Sequence, residues 1–294
     1  IKLYNPPILE NMSWPISFVK NASNANNIKA VKFLTEKVLK EKPEEDFSVP
    51  FLNVAKLNSV ELCKFFIDKK VNISFEYVIE YASRIGNINK EIFSIISDIM
   101  PPNLLNKFLD KFAIYATEWC NLEIVETILN IAPDIEIDIY AAIDSRDPRI
   151  ISLLRKYNEN PDYVNSRTPE GTPLTTAVEN NDVEVVKALL TFPGIDVNLY
   201  DKYKRTPLII AAHSCNYEIF NTILDFVGDD IQNQQWQLDI IAQKIATLIK
   251  SSKWEANSNI SKIFDRFLKI KFIDKSLFEN FFLEACEKNN IEIV

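Results

Sequence analysis

Glycine is scarce in this 294-residue chain, with only four: Gly86, Gly171, Gly194 and Gly228. That excludes most glycine-rich phosphate-binding loops, and it means that residues forced to positive φ are mostly something else. Histidine is rarer still. His213 is alone, so a multi-histidine metal site is impossible, and any Ser/His/Asp or Cys/His site would have to use it. Basic residues are outnumbered, 33 against 41 acidic, for a net charge of -8. Such a chain repels phosphate backbones, and its lysines and arginines are scattered, so no nucleic acid is expected as partner. No apolar run reaches 18 residues and no signal-peptide pattern opens the chain, so membrane insertion is not expected either.

The four cysteines, Cys63, Cys120, Cys215 and Cys286, lack the spacing of a zinc site or a redox pair. Each falls in a segment of helical pattern, which suits reduced, half-buried thiols and an intracellular, cytoplasmic protein. The chain begins at Ile1 and stops at Val294 in mid-pattern, so it is expected to be part of a longer protein.

What is present is repetition. Thr172–Val186, reading TPLTTAVENNDVEVV, aligns position for position with Thr206–Phe220, reading TPLIIAAHSCNYEIF. Ala116–Val125 and Ala285–Val294 fit the same frame from Ala177 onward. Weaker copies are anchored at Ala22, Val54, Ala82, Ala142 and Ala246. The nine anchors lie 32, 28, 34, 26, 35, 34, 35 and 39 residues apart, a mean of about 33.

The residues explain the unit. Thr172 and Thr206 can cap a helix N-terminus, and Pro173 and Pro207 suit the first helical position, where no N–H is needed. A small anchor one turn later lets a neighbouring helix approach. After a short break, a second helix carries Val183, Val186, Leu189 and Leu190 on one face, repeated as Leu122, Val125, Ile128 and Leu129 and as Tyr217, Phe220, Ile223 and Leu224. One such pair cannot bury its apolar face alone, whereas stacked neighbours can. The break calls for a left-handed residue. The frame places there Asn26, Asn58, Gly86, Cys120, Arg146, Asn181, Cys215, Lys250 and Asn289, and asparagine is the best non-glycine tolerator of positive φ.

The Thr-Pro-Leu opening, the alanine at the fifth position after Thr, the Val-Glu-Val-Val helix and the Asp196-Val197-Asn198 turn together resemble the ankyrin-repeat family. The full motif occurs twice, within residues 172–220. Elsewhere the copies diverge, and their asparagine-, isoleucine- and phenylalanine-rich flavour is similar to the low-glycine ankyrin proteins numerous in unicellular parasites. The resemblance implies an all-α ankyrin-type solenoid of about nine helix pairs, with short hairpins or loops on one edge. Residues 1–15 read as an irregular lead-in or cap and residues 16–294 as the array, with its best copies in 164–228 and the last one truncated at 294.

No residue constellation marks chemistry. Gly171 precedes a helix start but lacks a Walker lysine and a preceding strand. Glu44/Glu45 and Asp229/Asp230 read as solvated loops. His213, beside Ser214 and Cys215, reads as a surface residue. The expectation is therefore a non-catalytic protein–protein interaction scaffold without metal, cofactor or small-molecule substrate. Two rivals stand beside it: a regulatory segment of an enzyme whose catalytic domain lies outside these residues, and a passive structural tether.

Ankyrin-family proteins usually bind through hairpin tips and the inner helix face. Carried onto this sequence, that concave row comprises Asn24, Lys56, Arg84, Glu118, Trp119, Asp144, Glu179, Asn180, His213, Ser214, Glu287 and Lys288. The best hairpin tip is Lys202, Tyr203, Lys204 and Arg205. Trp119 aligns with the polar Asn180 and Ser214, so it either meets a partner or packs on a neighbouring repeat. The tip likewise is either a contact row or a solvated turn.

Overall fold

A computed structural model of the chain describes residues 14–82, 85, 87–250 and 258–270. It is all-α. Among the described residues there is no strand, only an isolated parallel bridge between Asp46 and Asn72. The chain divides into two compact units, Ile1–Asp138 and Ile139–Val294.

In the first unit, α1 (Ile16–Asn24) pairs with α2 (Ile28–Glu41), α3 (Ser48–Lys56) with α4 (Val60–Asp68), α5 (Phe75–Glu80) with α6 (Lys90–Ile99), and α7 (Pro102–Glu118) with α8 (Leu122–Ile131). The first members stack in the order α1, α3, α5, α7, and the second members in the order α2, α4, α6, α8. The second unit repeats the arrangement. Its inner row is α9 (Ile139–Asp144), α12 (Pro173–Glu179), α14 (Pro207–His213) and α16 (Gln235–Lys250). Its outer row is α10 (Pro148–Tyr157), α13 (Val183–Leu189), α15 (Tyr217–Val227) and α17 (Ser258–Leu268), while α11 (Pro161–Val164) is a single turn. Each unit is thus a helical-repeat solenoid in which neighbouring pairs supply one another's interior.

The frame read from sequence corresponds to a specific hydrogen-bond motif. Asn26, Asn58, Cys120, Arg146, Asn181 and Cys215 all adopt positive φ, between 48° and 60°. Each donates its N–H to the carbonyl three residues back, as Asn181 does to Val178 at 3.0 Å and Cys215 to Ala212 at 3.3 Å. At five of the six the next residue donates to the anchor's own carbonyl, Asn121 to Ala116 at 2.8 Å and Asn216 to Ala211 at 3.1 Å, while Asp147 donates to Ser145 Oγ at 3.3 Å. These two bonds satisfy the orphan carbonyls at the end of a helix and require the left-handed residue between them. The residue that follows then caps the second helix at five of the six turns: Asn27, Asn121, Asp147, Asp182 and Asn216 each accept a backbone N–H through the side chain, whereas Ser59 makes no side-chain cap. One short Schellman-plus-cap unit therefore sets the turn between paired helices.

The anchors Val54, Ala82, Ala116, Ala142, Ala177 and Ala211 are fully buried. The outer-helix face is turned slightly from the expected one. Leu122, Val183 and Tyr217, at the first helical position, are half-buried, and Ile124, Val185 and Ile219 join the core in their place. Each fully buried aliphatic side chain of this kind contributes about 1.5–3 kcal/mol relative to exposure.

One register differs. Ala246 lies within α16, as the other anchors lie within their inner helices, but the break expected at Lys250 is still helical, α16 running unbroken from Gln235 to Lys250. The run from Gln243 to Lys250 consists mostly of good helix formers and offers neither Gly nor Asn to close the turn. The helix therefore extends to Lys250 instead of turning there. Cys120 and Cys215 are also corrected: they stand in the left-handed turn rather than within a helix, while Cys63 lies in α4. The breaks expected at Gly86 and Asn289 and the anchor Ala285 lie outside the described residues.

Candidate partner-binding surface

Two residues before each left-handed turn, the inner helix exposes its last side chain. In the second unit this gives Asp144, Glu179 and His213, with Ser145, Asn180 and Ser214 following. Thr206 Oγ1 donates to Gln237 Oε1 at 2.6 Å, which fixes α14 against α16 and brings Lys244 close enough to act on His213. The His213 imidazole is held below its ordinary pKa, first by burial, then by the positive charges of Lys244 and Arg205.

The finger between α13 and α14 is organised by Asp201. Its carboxylate is buried, accepts the N–H groups of Tyr203 and Arg205 at 2.8 Å each through Oδ1, and takes Arg205 Nε at 2.7 Å through Oδ2. Arg205 reaches on to Glu179 of the preceding inner helix, forming a second ion pair. Two residues read separately as partner contacts, Glu179 and Arg205, thus neutralise each other. Lys202 is paired with Glu170 of the neighbouring finger, and its N–H donates to the Glu170 carbonyl at 3.1 Å. Tyr203 stays 64% exposed between Arg205 and Lys202, whose charges lie 4.8 and 5.1 Å from its ring centre. Gly171 is glycine for a local reason: a Cβ there would collide with Thr175 Oγ1, which completes the capping box with Thr172.

In the first unit, Asn24, Lys56 and Glu118 are exposed and Trp119 is 56% exposed at the end of α7. Leu57, at the equivalent turn of α3, and Ile114, one turn back on α7, are exposed as well. Trp119 is therefore a surface residue and not packed away on a neighbour. Arg84, Glu287 and Lys288 lie outside the described residues.

Sequence reasoning missed Asp201 because the residue one repeat earlier is Arg167, so alignment of the copies hides it. It also missed Tyr200, whose ring meets Lys204 at 4.0 Å and Arg167 at 4.7 Å. Among the described residues no group of three or more His, Cys, Asp or Glu is placed to hold a metal ion, and no helix is long and apolar enough to cross a membrane.

A family model described as ankyrin repeats (3 copies) matches residues 138–235. Residues 138–235 carry ankyrin repeats. The match covers the second unit's first three helix pairs, where the finger geometry is most regular. No curated protein matches the sequence. Among solved structures, the chain is similar to the human ASB11 ankyrin repeat domain at 16% identity, over 71% of this chain and 83% of that one, with a TM-score of 0.36. Ankyrin repeats are protein–protein interaction modules and the fold is typically non-catalytic, in keeping with a surface of ion pairs and exposed aromatics.

Proposed function

We propose that this chain is a non-catalytic scaffold that binds a partner protein through the exposed ends of its inner helices and its finger tips, inside the cell. The residues concerned are Glu118 and Trp119 in the first unit, and Asp144, Asn180, Lys202, Tyr203, His213 and Ser214 in the second. Glu179 and Arg205 act chiefly by holding the finger against α12. The supporting observation is Trp119, more than half exposed at a turn position where the better copies carry Asn180 or Ser214. A large exposed aromatic is the residue type most enriched among energetic hot spots of interfaces.

Capture from the source cell tests this reading, comparing the unaltered chain with Trp119→Ala and Tyr203→Ala, each checked for native helicity. Loss of one or more captured proteins in either variant is expected. Identical capture by all three would refute the assignment of these surfaces.

A further inference from the structure

A basic cleft opens between the two fingers of the second unit, in a chain whose net charge is -8. It measures about 190 Å³ and is lined by Arg167, Thr168 and Gly171 from one finger and by Tyr200, Lys202 and Lys204 from the other. Lys202 is neutralised by Glu170. Arg167 and Lys204 are different: among the described residues neither meets a carboxylate, and both lie against the Tyr200 ring. The one carboxylate in the lining, Asp201, is buried and engaged by Arg205 and two backbone N–H groups. The two cations also pull the Tyr200 hydroxyl below its ordinary pKa, Lys204 first and Arg167 second, so the cleft favours negative charge. Placing two like charges beside one ring works against folding, and an incoming anion would relieve that repulsion.

We propose that this cleft receives an acidic segment of a partner protein, with one carboxylate taken by the Arg167 guanidinium and a second by Lys204. A guanidinium presents two parallel donors to a carboxylate, and an ammonium adds a point charge beside it. The backbone assists: Lys204 adopts φ 61° and its N–H donates to the Asp201 carbonyl at 3.1 Å, so the turn that presents this lysine is fixed by the same aspartate that anchors the finger. The inference rests on the partner-binding reading above and names the chemistry recognised at one of its surfaces.

The test is fluorescence anisotropy at low salt with the full chain. The probes are a labelled poly-glutamate peptide, its poly-glutamine counterpart and a single-stranded thymidine oligonucleotide. The variants are Arg167→Glu/Lys204→Glu and a control with the same charge change on outer helices, Arg155→Glu/Lys262→Glu. All four positions are exposed, and each variant is checked for native helicity. The glutamate peptide should bind over the glutamine peptide, weaken with salt and lose about tenfold or more in affinity in the cleft variant, while the control stays within about twofold. Equal loss in both variants, no preference for glutamate, or tighter binding of the oligonucleotide overturns the proposal. If the cleft variant keeps a captured partner that Trp119→Ala loses, the cleft assignment fails while the scaffold reading stands.

Discussion

Asp201 and Arg205 form the central polar contact of the second unit's finger: a buried carboxylate with Arg205 Nε at 2.7 Å, two backbone N–H groups on its other oxygen, and Glu179 beyond the guanidinium. A carboxylate in this position acts as the framework of the turn. Asp201→Ala leaves two buried N–H groups and the guanidinium without their acceptor. The expected loss is about 2–3 kcal/mol of unfolding free energy by urea titration. A loss below about 0.5 kcal/mol would show that the finger is held by other contacts.

The left-handed turns give a prediction of opposite sign. Cys120 at φ 53° and Cys215 at φ 55° carry a β-carbon where glycine would be unstrained. Relief of about 1–2 kcal/mol of strain is partly offset by the greater freedom of glycine in the unfolded chain. Cys120→Gly and Cys215→Gly should each raise stability by about 0.5–1 kcal/mol, seen as a higher denaturant midpoint at unchanged slope. Asn181→Gly should change it less, since asparagine tolerates the conformation. A lowered midpoint for both cysteine variants contradicts the strain argument.

Burial pushes the Cys63 thiol from 9.0 up to about 12. The folded state keeps its proton where the unfolded state has lost it, so the unfolded chain binds fewer protons above pH 9 and stability falls as pH rises from there toward 12. A Cys63→Ala variant should lack this component of the alkaline decline, although it pays for the missing sulfur with a small cavity. At pH 8 the native Cys63 should resist iodoacetamide that labels it promptly in urea. Equal labelling rates in the two conditions contradict the burial.

His213, the chain's single histidine, provides a clean titration by NMR. Its midpoint should lie below 6.5, and Lys244→Gln should raise it by removing a nearby positive charge. Since the folded pKa is the lower one, the stabilisation is present above pH 6.5 and declines as pH falls through the folded value. A midpoint at or above 6.5 would place the ring farther from Lys244 and Arg205 than the structure does.

Much of the fold was legible because its turn is a local device. An asparagine at positive φ beside a polar cap position needs only a few neighbouring residues, so Asn26, Asn58 and Asn181 could be located from spacing and residue type. Cys120, Arg146 and Cys215 were found only because the frame around them repeats. Lys70 and Lys204, also left-handed, carried no such signal: Lys70 ends α4, and Lys204 belongs to a finger turn set by Asp201. The break expected at Lys250 shows the limit of spacing without turn chemistry, because helix propensity carries α16 to that residue.

The sequence alone determined the repeat, its period, and the capping threonines and prolines, since each depends on chemistry within one short segment. Only the tertiary structure decided which charges meet. Arg205 reaches Glu179 of an earlier helix, and Arg167 and Lys204, 37 residues apart, converge on one tyrosine. No basic patch is visible along the chain, because stacking places successive fingers side by side and sums charges that the sequence keeps separate.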